Sequence, residues 1–329
     1  MQYKKFGKTD LEISALGLGA APIGSRTGPD ESKATLNQAF ELGINFYDTA
    51  PSYGQGSSEE IIGEVFKKKR ERVIITTKVG YSPTATLQAA AKLKPLMRSL
   101  LHKLPGIRRS IQTFVNSQNK IDFKPSYIRK SVEESLQRLR SDYIDLLLLH
   151  SPPREIVERG DVFEQLKSLK SQGKIRYYGV SASDLENSLI LLKYPEYEIS
   201  ALQITLNLFE QEAIDKLIPL AKQRGIAIVA REPFAHGKLI PRNADTDTEG
   251  LKYVGPLETD EQFAFLVKPG IRTMTQAALQ FVLQTEGVSV VLAGMSKVKH
   301  VQANVAVFSV PALTNQEMKK IRSSTQVCL

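Results

Sequence analysis

An α/β fold, a (β/α)8 or TIM barrel, is what this sequence predicts, and three observations predict it. Short apolar runs rich in β-branched residues alternate with longer stretches of 3.6-residue periodicity, the pattern of repeated strand–helix units on a parallel sheet. Eight such runs occur in 329 residues, which suits a closed barrel better than an open doubly wound sheet. Polar residues stand at or just past the C-terminal ends of five of the runs, where barrel enzymes gather their sites.

The eight expected strands are residues 15–18, 45–47, 73–77, 144–149, 177–180, 201–205, 227–230 and 289–292, each short and dominated by Val, Ile, Leu, Ala or aromatic side chains. Helical periodicity separates them, at 32–42, 59–69, 126–139, 162–171, 213–224 and 274–284. Ahead of the first strand, residues 3–6 and 11–13 flank Gly7-Lys8-Thr9-Asp10 as a β-hairpin, expected to plug the bottom of the barrel. Two connections, 81–124 and 234–270, are longer than ordinary βα loops and are expected to carry binding or lid functions. The whole chain, 1–329, reads as one barrel domain with 81–124 as a basic loop or helical insertion.

Composition narrows the function classes. With 42% hydrophobic residues the chain can bury a large core. It carries no apolar stretch of about 18 residues that would span a membrane, and its start, Met1-Gln2-Tyr3-Lys4-Lys5, has no secretory apolar run. A cytoplasmic protein with no membrane partner is expected. The single cysteine, Cys328, excludes an internal disulfide and a multi-cysteine zinc site, and the four histidines form no H-E-x-x-H pair, so no metal is expected. Most of the net charge of +9 lies in 81–124, where Lys92, Lys94, Arg98, Lys103, Arg108, Arg109, Lys120 and Lys124 face one acid, Asp122. Beyond Phe114 and Phe123 no aromatics interleave with these charges, which argues against a nucleic-acid partner.

The residues at the strand ends can do chemistry together. Asp48 ends the second run, Lys78 the third, His150 the fourth and Ser181 the fifth, and Gln203 lies on the sixth. Tyr53 follows Asp48 in the segment Asp48-Thr49-Ala50-Pro51-Ser52-Tyr53-Gly54. A phenol, with an unperturbed pKa of about 10, donates a proton near neutrality only beside cationic neighbours that stabilise the phenolate. Lys78 can supply that charge, Asp48 can pair with Lys78 at an apolar barrel mouth, and His150 can hold a substrate carbonyl. Taken singly, each has a plainer role: a turn cap for Asp48, a packed tyrosine, a surface lysine, a hydrogen-bonded wall histidine. The group of four at successive strand ends favours the catalytic reading.

These segments, in this order, resemble the aldo-keto reductase superfamily over nearly the whole chain. The resemblance rests on Gly17-Leu18-Gly19, Asp48-Thr49-Ala50-x-x-Tyr53-Gly54, Thr77-Lys78, Leu149-His150, Gly179-Val180-Ser181, Ala293-Gly294-Met295-Ser296 and Asn304. It implies Tyr53 as general acid, Lys78 and Asp48 as its tuning pair, and His150 positioning the carbonyl of an aldehyde, ketone or sugar, or the matching alcohol. It also implies NADP(H), with NAD(H) as the alternative, bound across the barrel mouth. Asp48 would hold the nicotinamide ribose, Ser181 and Gln203 the carboxamide, and the backbone near Gly237 and Leu239 the pyrophosphate. Gly19 and Ala20 would let the first loop approach the cofactor, Gly294, Ser296, Lys297 and His300 would meet the 2′-phosphate end, and Asn304, read as near the start of the last helix, the adenine.

The chain departs from the family pattern at several positions. Ala182 replaces a frequent Asn contact to the carboxamide. Arg231 stands where an aromatic often stacks on nicotinamide, a task a guanidinium can also perform. There is no Trp, and Ala21 and Gly80 replace bulkier residues, so a wide pocket beside Tyr53 is expected, with 81–124 as part of its wall or lid. Gly17-x-Gly19 is followed by Pro22 where a dinucleotide fingerprint needs a third glycine. The alternative readings are an NADP(H)-binding regulatory or sensor subunit of the same fold with little turnover, and a lyase using Lys78 as a Schiff base. Composition chooses neither a particular substrate nor an oligomeric state.

Overall fold

The computed structural model describes residues 1–82, 120–240 and 261–326. Eight parallel strands close a barrel: β3 (Leu16–Gly19), β4 (Phe46–Asp48), β5 (Ile74–Val79), β8 (Ile144–His150), β9 (Ile175–Ser181), β10 (Ala201–Thr205), β11 (Ala227–Arg231) and β12 (Val288–Gly294). They pair in that order, and β12 returns to β3 to close the ring. The strands of β1 (Tyr3–Lys5) and β2 (Glu12–Ser14) form the expected antiparallel hairpin. A second two-stranded ribbon, β6 (Tyr81–Ser82) with β7 (Lys120–Ile121), springs from the end of β5.

Strand alternation sorts the side chains into two cores. Phe46, Ile74, Leu146, Leu148, Ala201, Ala227, Val229, Val290 and Leu292 fill the lumen and meet Phe6, Leu11 and Ile13 of the hairpin. The rings of Phe6 and Phe46 pack at a tilt with centroids 5.8 Å apart, so the hairpin plugs the barrel floor as expected. The intervening residues, such as Ile75, Leu147, Leu149, Val180, Leu202 and Ile228, face outward into the layer beneath the helices. The lumen is tight: a Cβ on Gly17 would stand 2.8 Å from Leu292 and 3.1 Å from both Phe46 and Val290. Polar pins hold the floor, where the fully buried Asp145 takes Arg70 at 2.6 Å and Arg176 at 2.8 Å, and Arg176 continues to Asp10 of the hairpin turn.

The outer helices include α1 (Pro29–Glu41), α2 (Ser57–Phe66), α3 (Pro125–Leu139), α5 (Asp161–Ser171), after the short α4 (Arg154–Arg159), and α9 (Met274–Gln284). The helix expected at 213–224 is two pieces, α7 (Ala213–Lys216) and α8 (Ile218–Gln223). Pro219 has no N–H for the carbonyl four residues earlier, so the helix breaks before it. Helices α6 (Leu185–Leu191), α10 (Val298–Val305) and α11 (Asn315–Gln326) add to those read from periodicity. Asn304 therefore lies near the end of α10, not at the start of the last helix, because α10 already begins after its cap at Lys297.

Several strands run one or two residues further than expected, to Asp48, Val79, His150, Ser181, Arg231 and Gly294. The apolar pattern ends before the backbone pairing does, since a closed barrel offers every strand two neighbours up to the rim. Most of the long segments 81–124 and 234–270 lies outside the described residues, as does Cys328.

Candidate active site

The polar residues at the barrel mouth are the top layer of the same alternation that fills the lumen. Ile74, Thr76 and Lys78 follow one another inward on β5, Leu146, Leu148 and His150 on β8, Ala201 and Gln203 on β10, and Ala227, Val229 and Arg231 on β11. Each strand thus begins apolar at the floor and ends in a functional group at the rim.

Lys78 is the centre of the group. Its ammonium, 1% exposed, lies 2.6 Å from Asp48 Oδ2, donates to Thr49 O at 2.9 Å and reaches the Tyr53 hydroxyl oxygen at 3.3 Å. Burial pushes the Lys78 pKa down, but the Asp48 carboxylate and the Tyr53 oxygen outweigh it, and the net direction is upward. The ammonium therefore stays charged although water is excluded. The other Asp48 oxygen accepts from Gln203 Nε2 at 2.9 Å, and Gln203 Oε1 accepts from Ser181 Oγ at 2.7 Å. A continuous line of hydrogen bonds joins Ser181, Gln203, Asp48, Lys78 and Tyr53 across four strands and one loop.

Tyr53 is presented by a strained turn. Gly54, Gln55 and Gly56, directly after it, have φ of 59°, 58° and 90°. Three consecutive left-handed residues reverse the chain in one step and start α2 at Ser57. The first turn of α2 then clamps the rim. Ser58 Oγ accepts from Thr49 at 2.8 Å and donates to Ala20 O at 3.0 Å, and the Ala20 amide donates to Asp48 O at 2.8 Å. Glu59, fully buried, accepts from Thr77 at 2.6 Å and pairs with Arg138 at 2.6 Å. Sequence reasoning missed Ser58, Glu59 and Arg138, since a contact spanning 79 positions leaves no local pattern.

His150 stands beside Ser181 in the β8–β9 register. Burial, then the charges of Lys78 and Arg231, lower its pKa to about 3. The imidazole is neutral at physiological pH and can donate one hydrogen bond without carrying charge. Tyr81 packs edge-on against it, ring centroids 4.7 Å apart, and Tyr127 holds the Tyr81 carbonyl at 2.8 Å. The room expected from Gly80 is taken: a Cβ there would stand 2.4 Å from the ring of Phe123, which is buried just after β7. The missing bulk at position 80 is supplied from across the ribbon.

On the far side of the mouth, Gly19 pairs with both Asp48 and Gly294 in register, and among the described residues nothing lies within 4 Å of a Cβ built on Gly294. Ser296 Oγ and His300 Nδ1 are 3.0 Å apart around the start of α10, with Lys297 as its cap. Asn304 is buried on the same helix. The amides of Gly237 and Leu239 both donate to Phe234 O, at 2.9 and 3.3 Å, and the Leu239 side chain is fully buried. Arg231 pairs with Glu232 at 2.5 Å, a partner that sequence reasoning did not identify.

Comparison with known proteins agrees with this geometry. The model of the Aldo/keto reductase family matches residues 15–326. The chain is 30% identical over 336 residues to the uncharacterized oxidoreductase YqkF of Bacillus subtilis, covering 99% of this chain and 97% of that one. It is 28% identical over 317 residues to L-galactose dehydrogenase of Arabidopsis thaliana, covering 93% and 88%. Among solved structures, the holo form of aldo-keto reductase AKR11C1 from Bacillus halodurans superimposes with a TM-score of 0.78 at 26% identity, covering 98% of this chain and 96% of that one. A barrel whose rim carries the Asp48, Lys78, Tyr53 and His150 group, matched over its length by these relatives, belongs to the aldo/keto reductase family of oxidoreductases, whose members use NAD(P)(H) on small carbonyl and alcohol substrates.

Proposed function

We propose that this chain interconverts a carbonyl and an alcohol with NADP(H), using Tyr53 as the general acid and base. The observation that carries the reading is the Lys78 ammonium, buried and shared between Asp48 at 2.6 Å and the Tyr53 oxygen at 3.3 Å. A fixed positive charge there favours the phenolate left when Tyr53 gives up its proton, and Asp48 keeps that charge in place without water. Neutral His150 donates to the substrate oxygen and orients it toward Tyr53.

The residues at the mouth fit a dinucleotide. Among the described residues, Arg231 Nε is buried without a hydrogen-bond partner and nothing crowds the position of a Cβ on Gly294. Ser181 and Gln203 offer the donor and acceptor that a carboxamide needs. Asp48 would hold the ribose, Arg231 would lie against the ring, and Gly19, Ala20, Gly237 and Leu239 would adjoin the phosphates. Ser296, Lys297, His300 and the start of α10 suit a 2′-phosphate, which supports NADP(H) over NAD(H). Asn304 would meet the adenine end. When bound, the nicotinamide supplies or accepts the hydride. The reading treats the chain as one barrel domain, with 81–124 bordering the substrate site through Tyr81. It also keeps the protein in the cytoplasm, where a single cysteine needs no disulfide partner; among the described residues no helix is long and apolar enough to cross a membrane.

The test is a titration with NADPH and NADH followed by cofactor fluorescence, then a panel of aldehydes, ketones and sugars. Tight NADPH binding with oxidation by a carbonyl is expected, and Tyr53→Phe should keep the binding and lose more than ~10²-fold in turnover. Tight binding with no turnover on any carbonyl would replace this reading with that of a sensor subunit.

A further inference from the structure

Arg231 ends β11 on the lumen side, and its charge is one of the forces that keep His150 neutral. Its three guanidinium nitrogens sit in three different environments. Nη1 meets Glu232 Oε1 at 2.5 Å, Nη2 donates to Ala182 O at 3.4 Å, and Nε is buried without a partner among the described residues. Adjacent residues on an extended strand point to opposite faces, so Arg231 and Glu232 should not meet. They do because Glu232 has φ 61°, a left-handed turn that folds its carboxylate back over the strand end. The second carboxylate oxygen takes His236 Nε2 at 2.9 Å. Ala235 and His236 are also left-handed, at φ 48° and 55°. Strained residues of this kind, three within five positions, persist where the surroundings hold them for a purpose.

We propose that Glu232 sets the relative affinity for oxidised and reduced cofactor by neutralising the Arg231 guanidinium at the ring site. The inference rests on the reading that a nicotinamide lies against Arg231. The oxidised ring carries a unit positive charge and the reduced ring none. An unpaired guanidinium beside the ring repels only the oxidised form. With Glu232 in contact, the arginine and glutamate together are neutral, and the oxidised cofactor binds without that opposition. Glu232 is a positioning residue: it acts through Arg231 and touches neither substrate nor reacting atoms. Its consequence is directional, because retention of the oxidised cofactor is what an alcohol-oxidising cycle needs.

Glu232→Gln keeps an acceptor for Nη1 and removes the charge. The measurement is the dissociation constant of NADPH by its own fluorescence and of NADP+ by competition, at pH 7 and low salt, for the wild type, Glu232→Gln, Arg231→Leu and the double variant. The ratio of the oxidised to the reduced constant should rise about 5-fold or more in Glu232→Gln, since a part-buried unit charge acts at an effective dielectric well below that of water. NADPH affinity should change far less. Arg231→Leu alone leaves an unpaired carboxylate near the ring and should lower the ratio, and the double variant, with both charges gone, should bring it back near the wild-type value. An unchanged ratio in Glu232→Gln, or a double variant whose ratio does not return toward that of the wild type, overturns the proposal while the cofactor reading stands. If Arg231→Leu alone alters neither constant, Arg231 is not at the ring, and the proposal falls with that assignment. If the wild type binds neither form, the proposed function itself has failed. Thermal midpoints of all four proteins guard against misfolding, and Glu232→Asp, which retains the charge, should keep the ratio near that of the wild type if Glu232→Gln proves unstable.

Discussion

Lys78 and Asp48 are buried as a pair, and their mutual dependence is measurable as stability. The Lys78 side chain is 1% exposed and that of Asp48 6%. Lys78→Met keeps the stem and removes the charge, leaving the Asp48 carboxylate with the Gln203 amide at its other oxygen as its side-chain partner among the described residues. Asp48→Asn leaves an ammonium buried with Thr49 O and the Tyr53 oxygen. Stranding one member of a buried pair costs about 3–5 kcal/mol, so additive behaviour would put the double variant at about 6–10 kcal/mol. The double variant strands no charge. It loses the ammonium's bond to Thr49 O, about 1 kcal/mol, and some packing, for a total of about 1–3 kcal/mol. The cycle should therefore close with a coupling of several kcal/mol. The assay is urea unfolding at pH 7 by far-UV circular dichroism, with the slope checked for constancy across the four proteins. All three variants should lose turnover, so activity cannot substitute for this measurement. Additive losses, or single variants each costing less than about 1 kcal/mol, would refute the claim that the pair is held by mutual neutralisation in a dry site.

Other outcomes follow from the same structure. His150, with its pKa lowered from 6.5 to about 3, binds no proton in the folded state where the unfolded chain does, so it favours folding above pH 6.5 and loses that contribution as pH falls toward 3. His150→Gln should flatten the acid decline of urea stability in that window, and turnover of the wild type should show no limb near 6.5 from this residue. Glu317, where burial raises the pKa but Lys268, Thr314 and Arg272 bring it down to about 2, favours folding above 4.5 and less so as pH falls toward 2. Glu317→Gln should remove part of that acid sensitivity while leaving cofactor affinity unchanged, and an unaltered stability profile would discount the cluster. Gly179→Ala would place a Cβ 2.1 Å from Ala201 O, backbone against backbone, so β9 and β10 must separate. Soluble yield or thermal midpoint should fall sharply, and a midpoint within about 1 °C of the wild type, less than the roughly 1.4 °C that about 1 kcal/mol produces in a chain of this length, would contradict the close strand approach.

The sequence alone determined the barrel, its floor plug and the four residues at its centre, because each is written locally. Apolar alternation with period two fixes which residues face the lumen, and the last inward position of β5 and β8 is a charged or titratable group whatever the exact strand ends. Pro219 is legible too, and it breaks the helix that periodicity alone draws across 213–224. The tertiary structure decided what depends on distant segments meeting. Strand ends ran past the apolar pattern because closure supplies backbone partners to residues that hydropathy leaves out. The space that Gly80 leaves beside its own backbone is filled by Phe123, a residue 43 positions away brought back by the β6–β7 ribbon. The clamp of Glu59 by Thr77 and Arg138 behind the Tyr53 turn joins three separate elements. Glu232 meets Arg231 only because one backbone angle is left-handed, and single-residue φ values of that kind are set by the packing of the loop around them, which composition and periodicity do not encode.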